Sequence, residues 1–192
     1  MSSSGPNSGG TFDNIAGSPW PWGYTSNAAA SDNSYALFGY GSGIPLTESG
    51  RLAATNFGFA IPSGATIDGI VVEVEKKCSN AAYSSKDKTV SLVKGGSVSG
   101  DNKASASVWP TSDAYSTYGG ATDLWGLTWT DTDINATNFG AVISVQCNAT
   151  GKSSVVHSID HIRITVYYTE GGGGGGISIP VVMHHLRQQG IS

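Results

Sequence analysis

NFGFAIPSGATIDGIVVEVE, residues 56 to 75, is the stretch that decides the fold of this chain. It predicts a short strand, a turn at Pro-Ser-Gly and a second, longer strand. The second strand has one face of Ile70, Val72 and Val74 and an opposite face of Val71, Glu73 and Glu75. A period of two residues is typical of a strand with one buried face and one solvated face. We therefore predict that this strand lies at the centre of a half-buried sheet.

The five residues Ala-Thr-Asn-Phe-Gly at 54–58 recur unchanged at 136–140. Apolar alternation follows the second copy as well, first over 142–147 and then over 162–168. We predict that each half of the chain contributes one edge anchored by a phenylalanine and one core strand.

The composition predicts many short strands joined by turns. Twenty-seven glycines and seven prolines separate short runs of Val, Ile, Thr and Tyr, and helical periodicity is nearly absent. The expected fold class is all-β, an antiparallel β-sandwich of jelly-roll or immunoglobulin-like type with extended N- and C-terminal arms. The net charge of −4 argues against nucleic-acid binding, which needs clustered Lys and Arg to neutralise phosphates.

The chain is predicted to hold one domain with appendages. Residues 1–19 are rich in Ser, Gly, Asn and Pro and carry too little apolar surface to order themselves, so we expect a flexible arm. Residues 20–169 form the β-sandwich domain, residues 170–176 a glycine-rich linker, and residues 177–192 an apolar docking arm.

The C-terminal docking arm is the segment most informative for function. The six glycines before it reach about 20 Å when stretched, and an apolar peptide on such a linker is typical of a contact site. We expect the arm to lie along a sheet edge or in a groove of a neighbouring subunit. The expected partner-binding residues are Ile177, Ile179, Val181, Val182, Met183 and Leu186.

Large side chains alternate with small ones at Trp125, Leu127 and Trp129, which predicts a strand with these three residues on one face. An inward face makes them core, the interpretation that the small polar residues opposite favour. An outward face makes Trp125 and Trp129 a stacking platform for glycans. Beyond this run, Asp131 predicts the cap of a single helical turn.

No motif in the chain indicates catalysis, a cofactor or a metal site. The carboxylates available for a glycosidase pair are Asp68, Glu73, Glu75, Asp123 and Asp160, and none lies in a recognisable motif. No Gly-x-Ser-x-Gly elbow supplies a nucleophilic serine, and Asp131 with Asp133 is too small a donor set for Ca²⁺. Cys78 and Cys147 each follow a predicted core strand, where a disulfide is geometrically feasible and two buried free thiols are favoured. We predict a protein that is not an enzyme.

The first thirty residues contain neither a basic region nor an apolar run, so no signal peptide is expected. No window approaches the roughly 18 apolar residues that span a bilayer, so we expect no membrane partner. These features predict synthesis in a host cytoplasm. The charge-poor surface of Ser, Thr and Gly resembles that of proteins exposed outside cells, and release by lysis in a virus particle accounts for both.

Four segments resemble a group of β-sandwich proteins encoded in the structural gene modules of tailed bacteriophages. They are SDNSYA at 31–36, FGFAIPSGATIDGI at 57–70, LWG at 124–126, and the stretch 156–168 that ends in DHIRITVYY. The resemblance implies a non-enzymatic structural protein of the virion, either a capsid decoration (cement) protein or a minor head or tail protein. Its implied partners are the major capsid protein or other virion proteins and further copies of itself. The alternative is a carbohydrate- or receptor-binding module of a phage fibre or a bacterial surface protein, with a glycan as ligand.

Overall fold

The computed structural model describes residues 1–15, 20–39, 48–147 and 155–171. The predicted partner-binding residues from Ile177 to Leu186 lie outside the described residues. The strands are β1 (Ser2–Ser8), β2 (Thr11–Ile15), β3 (Ala36–Phe38), β4 (Arg51–Thr55), β5 (Thr66–Cys78), β6 (Lys86–Lys94), β7 (Ser97–Ser99), β8 (Ala114–Gly120), β9 (Gly140–Gln146) and β10 (His157–Thr169). One short helix, α1 (Asp131–Asn135), and two 3-10 turns (Thr25–Ala28 and Ala81–Tyr83) accompany them.

The strands form two antiparallel sheets. The first sheet has the order β1-β10-β5-β8, with β3 also paired to β10, and the second sheet has the order β2-β4-β9-β6-β7. Their inner faces share one hydrophobic core. The prediction of an all-β antiparallel sandwich is therefore confirmed. Within the described residues, no helix has the length and the hydropathy of a membrane span.

β5 is the central strand of the first sheet, as its sequence predicts. Ile70, Val72 and Val74 are buried in the core, whereas the alternate residues are half-buried on the outer face. β10 pairs with β5 from Thr169 opposite Thr66 to His157 opposite Cys78. The longest pairing in this sheet is therefore the one between β5 and β10, which have 13 residues each.

The prediction of a flexible arm over residues 1–19 is wrong for residues 2–15. β1 pairs with β10 in the first sheet, and β2 pairs with β4 in the second. An edge strand gains its order from main-chain hydrogen bonds to its neighbour, which a low apolar content does not prevent. Phe12 adds a buried side chain, and the Asn7 carboxamide donates a hydrogen bond to the carbonyl of Phe57 (3.0 Å).

The two Ala-Thr-Asn-Phe-Gly copies lie side by side at one end of the sandwich. The first copy closes β4 and the second opens β9, so that Thr55 pairs with Gly140. The rings of Phe57 and Phe139 lie 6.4 Å apart, and Phe59 lies 5.9 Å from Phe139. Residues 56–61 do not form the expected short strand, but their aromatic side chains are buried as an anchor would be. The predicted phenylalanine anchors are thus present in a shared cluster.

The tryptophan run forms turns and not the predicted strand. Trp125 and Gly126 have φ angles of 59° and 69°, which are left-handed values that break an extended chain. The indole N–H of Trp125 donates to the carbonyl of Ile70 (2.9 Å), and that of Trp129 donates to the carbonyl of Leu124 (3.0 Å). Both rings are buried, so the glycan-stacking interpretation of Trp125 and Trp129 is wrong and the core interpretation holds.

The single helical turn after this run is present as α1. Its N-cap is Thr130 and not Asp131, and Asp133 completes a capping box by accepting a hydrogen bond from the Thr130 N–H (2.9 Å). The Asn135 side chain then binds both the N–H and the carbonyl of Ile61 (2.7 and 2.9 Å). α1 therefore holds the connection between β4 and β5 in place.

Both cysteines are buried, and Cys78 is a free thiol, as favoured from the sequence. Cys78 ends β5 in the first sheet, while Cys147 follows β9 in the second.

His157 is a buried histidine that makes folding stability depend on pH. Its Nε2 lies 2.8 Å from the Ser85 hydroxyl, and its ring lies between Phe38 and Trp109 at centroid distances of 5.6 and 5.7 Å. Burial lowers the pKa of His157 to about 4, below the value of about 6.5 of an unfolded histidine. Below pH 6.5 the unfolded chain binds a proton that the folded chain does not.

We expect the His157 contribution to be fully present above about pH 6.5 and to be lost as the pH falls towards 4, at about 1.4 kcal/mol per pH unit. Urea unfolding between pH 4 and 7 measures this slope. His157→Phe is expected to flatten the profile of the free energy of unfolding against pH. An unchanged slope in that variant would contradict the assignment.

Candidate ligand-binding pocket

A cavity of about 300 Å³ lies on the outer face of the second sheet, at the end where the two repeats meet. Its lining combines residues of β2, β4, β6 and both repeats: Thr11, Asp13, Ile15, Ala53, Thr55, Asn56, Val93, Gly96, Thr137 and Asn138.

Strand alternation places the β2 side of the pocket. Thr11 pairs with Thr55, and Asp13 pairs with Ala53, so these four side chains point away from the core. Phe12 between them is buried on the core face. One strand thus anchors the sheet with its apolar residue and faces the pocket with its polar ones.

The two repeats supply the same pair of side chains twice. Thr55-Asn56 comes from the first copy and Thr137-Asn138 from the second. Because β4 and β9 are antiparallel, the end of one lies beside the start of the other, and the two pairs converge. The sequence repeat therefore becomes a duplicated set of one hydroxyl and one carboxamide.

Glycine N–H groups hold the main chain of both asparagines. The N–H of Gly10 donates to the carbonyls of Thr55 and Asn56 (2.9 and 3.1 Å), and that of Gly96 donates to the carbonyl of Asn138 (3.2 Å). A Cβ atom at Gly10 would lie 2.9 Å from the Asn56 carbonyl oxygen, so a side chain there would force the loop apart. Asn56 itself has a φ of 57°, a left-handed value that asparagine tolerates well.

The floor of the pocket is apolar. Ala53 and Val93 are buried on the outer face together with Val142, and Ile15 and Val98 pack against them. This patch is separate from the main core between the sheets. It offers a ligand a hydrophobic surface under a polar rim.

The polar rim is not used by the fold. Among the described residues, none forms a hydrogen bond with the six polar side chains Thr11, Asp13, Thr55, Asn56, Thr137 and Asn138. Hydroxyls and carboxamides both donate and accept, and the Asp13 carboxylate accepts. Asp13 is the one ionisable side chain in the lining. The arrangement is suited to hydrogen-bond a neutral, hydroxyl-rich molecule.

No family model matches this chain, and no curated protein matches it. Among solved structures, it is similar to one described as "CBM4 structure and function", with 11% sequence identity and a TM-score of 0.39. The match covers 70% of this chain and 85% of that chain. A TM-score of 0.39 at 11% identity does not show a shared function.

The outer face of the first sheet carries a different polar network. Arg163 binds both carboxylate oxygens of Glu73 (2.9 and 3.1 Å) and lies 4.1 Å from the Tyr115 ring centroid. The Tyr115 hydroxyl lies 2.8 Å from Nδ1 of His161, whose Nε2 lies 2.8 Å from the Ser8 hydroxyl. The hydrogen bonds to Glu73 raise the pKa of Arg163, and burial lowers the pKa of His161. These side chains form hydrogen bonds and ion pairs with one another and so link the neighbouring strands β1, β10, β5 and β8.

Three carboxyl groups on the first sheet and its edge, Glu75, Asp113 and Asp160, each have one buried oxygen without a hydrogen-bond partner. Burial raises the pKa of Asp160, which favours its neutral form. In the part of the chain that the structure describes, no group of three or more His, Cys, Asp or Glu side chains is arranged to hold a metal ion.

Several of the carboxylates available for a glycosidase pair are engaged separately. Glu73 binds Arg163, Asp68 accepts a hydrogen bond from the Thr169 hydroxyl (2.7 Å), and Asp123 pairs with Lys103 (2.8 Å). Lys103 and the Trp125 N–H hold the pKa of Asp123 below its usual value despite the opposing effect of burial. The structure does not unite these three in one cleft.

The pocket was missed by reasoning from the sequence alone. Trp125 and Trp129, the residues proposed there for glycan stacking, are in the core, and Trp22 and Trp109 are buried as well. The verbatim repeat is the sequence feature that points to the pocket, but the prediction used only its phenylalanines. Its Thr-Asn pairs line the pocket.

Proposed function

We propose that this domain is a non-catalytic binding module and that the pocket between the two repeats holds a saccharide unit. The observation that carries the proposal is the set of six uncommitted polar side chains around an apolar floor. A sugar presents hydroxyls that donate and accept, and a C–H face that packs on apolar surface. Each feature has a counterpart in the lining.

The size of the pocket supports a small ligand. Ligand pockets span about 300–1,000 Å³, and this cavity of about 300 Å³ suits one or two sugar rings. Each hydrogen bond contributes about 0.5–1.5 kcal/mol net, and the lining contains no aromatic ring for stacking. We therefore expect weak binding to a single site, with a Kd of about 1 mM, equivalent to about 4 kcal/mol.

The test is a glycan array probed with the full chain, followed by NMR titration of the sugar that binds. The variant Asn56→Gly with Asn138→Ala removes both carboxamides, and glycine keeps the left-handed backbone at position 56. It is expected to weaken binding at least about tenfold, equivalent to about 1.4 kcal/mol. Thr122→Ala with Thr132→Ala, two exposed threonines outside the pocket, is the matched control. Absence of any bound glycan, or equal binding by the Asn double variant, would contradict the proposal.

A second candidate is the role that the phage resemblance implies, a capsid decoration protein or a minor head or tail protein of a virion. A specific feature favours it: β10 ends at Thr169, and Gly171 passes close to the carbonyl of Gly64 at the end of the sandwich. In the sequence, the docking arm of residues 177–192 follows a glycine-rich linker whose six glycines reach about 20 Å when stretched. Such an arm can reach a neighbouring capsid subunit or another copy of the chain.

Deleting residues 177–192 is expected to leave the domain folded and to abolish incorporation into phage particles. Circular dichroism measures folding, and immunoblotting of purified particles measures incorporation. Replacing only the six apolar arm residues with serine keeps the arm length and is expected to have the same effect. Normal incorporation of either variant would refute this role without bearing on the saccharide pocket.

A further inference from the structure

A lysine lies in the core of the sandwich. Lys76 occupies an inward-facing position of β5, in register with Ile70, Val72 and Val74, and is 2% exposed. Its Nζ lies 2.5 Å from Oδ1 of Asp87, which comes from β6 in the opposite sheet and is 3% exposed. A buried ion pair is a costly arrangement, because both charges lose their hydration.

Three further groups surround the pair. The indole N–H of Trp109 donates to Oδ1 of Asp87 (2.7 Å), and the N–H of Ser105 donates to Oδ2 (3.0 Å). The Tyr118 hydroxyl donates to Oδ2 (2.8 Å) and also contacts Nζ of Lys76. Nζ lies 4.7 Å from the Trp109 ring centroid and 5.2 Å from that of Tyr118. The Tyr118 hydroxyl thus bridges Nζ of Lys76 and Oδ2 of Asp87, while Nζ itself contacts Oδ1.

Burial favours the neutral forms of both Lys76 and Tyr118. It lowers the pKa of Lys76, against the opposing effect of Asp87, and so favours the neutral amine. It also raises the pKa of Tyr118, which keeps that hydroxyl protonated. Transfer of one proton from Lys76 through the Tyr118 hydroxyl to Oδ2 of Asp87 converts the ion pair into an amine and a carboxylic acid, the two reactants of amide formation.

We propose that Lys76 and Asp87 condense to an intramolecular isopeptide bond that joins the two sheets covalently. Nζ attacks Cγ of the protonated Asp87 carboxyl, and the negative charge that develops on Oδ1 is stabilised by the Trp109 N–H. Tyr118 accepts a proton from Nζ and donates its own to Oδ2. The C–Oδ2 bond then breaks, Oδ2 leaves as water, and the amide Nζ–Cγ remains. No electrons are exchanged with any other molecule.

The geometry supplies the effective concentration that this reaction needs. The amine and the carboxyl are held in contact by strands of two packed sheets and are shielded from water. Positioning of this kind is worth many orders of magnitude in rate for an intramolecular step. Tyr118 acts by moving a proton, so the reaction needs its hydroxyl and not only its ring.

Intact-mass spectrometry of the full chain under denaturing conditions tests the proposal. We expect a mass about 18 Da below that of the sequence, the loss of one water. Trypsin does not cleave after an acylated lysine, so peptide 52–77 is expected to stay whole and to carry the Asp87 segment. Asp87→Ala is expected to show the full mass. A wild-type chain with its full mass and a free Lys76 amine overturns the proposal and leaves a buried ion pair only.

Tyr118→Phe and Tyr115→Phe form a matched pair for the proton relay, because both tyrosines lie on β8 and only Tyr118 touches the buried pair. Tyr118→Phe is expected to slow bond formation at least about tenfold after refolding, equivalent to about 1.4 kcal/mol. Tyr115→Phe is expected to react like the wild type. Equal rates in all three proteins would overturn the role of Tyr118, while the wild-type mass decides whether the bond exists.

Discussion

A chain that lacks residues 1–15 is expected to lose its cooperative unfolding transition at 25 °C. The deletion removes β1 from the first sheet and β2 from the second, together with the buried ring of Phe12. It also removes Asn14, whose side chain forms hydrogen bonds with both the N–H and the carbonyl of Trp22 (2.8 and 2.9 Å). The loss of two edge strands is comparable with the whole stability of a domain, about 5–15 kcal/mol.

Thermal unfolding followed by circular dichroism measures this effect. Ser3→Ala is the control, because it changes an exposed side chain of β1 and keeps the main-chain pairing with β10. It is expected to unfold like the wild type. If residues 1–15 were a flexible arm, the deletion itself would be harmless, and that result would refute the strand assignment.

Phe139→Ala is expected to destabilise the domain by about 3–5 kcal/mol, the usual cost of removing a buried phenylalanine. The ring is fully buried and lies 5.4 Å from Trp129, 5.9 Å from Phe59 and 6.4 Å from Phe57. It joins the second repeat to the first repeat and to the tryptophan turn. The cavity left by alanine would therefore loosen three segments at once.

Urea unfolding at pH 7 measures the change in the free energy of unfolding. Thr137→Ala is the matched control, since Thr137 is exposed in the same repeat two residues earlier. It is expected to change the stability by less than about 0.5 kcal/mol. A Phe139→Ala variant as stable as the control would show that the repeats are not held by this cluster.

Patterns with a short period carried most of the correct predictions. The alternation at 70–75 predicted β5 and its buried face, and that at 162–168 predicted the end of β10. Side chains in a strand alternate between faces whatever the neighbouring strand is, so the pattern is visible in the chain itself. The buried phenylalanines were predicted from the verbatim repeat, which is visible in the chain as well, although they lie outside the strands.

Two predictions failed because each inferred the structure of a segment from that segment's own composition or alternation. The polar composition of residues 1–15 suggested disorder, but β10 and β4 offer unpaired edges that order the chain through its main-chain groups. The alternation at Trp125, Leu127 and Trp129 suggested a strand. There, left-handed φ angles at Trp125 and Gly126, and the hydrogen bond from the Trp125 indole to the distant carbonyl of Ile70, override the alternation.

The sequence by itself determined the alternating strands β5 and β10, the antiparallel sandwich class and the anchoring phenylalanines, because alternation, turn-rich composition and a verbatim repeat are all visible along the chain. Only the tertiary structure decided that the Thr-Asn pairs of the two repeats meet in one pocket and that Lys76 faces Asp87 in the core. The physical reason is the pairing of β4 with β9 and the packing of β5 on β6. Such pairings join residues far apart in the chain, and no local period records them.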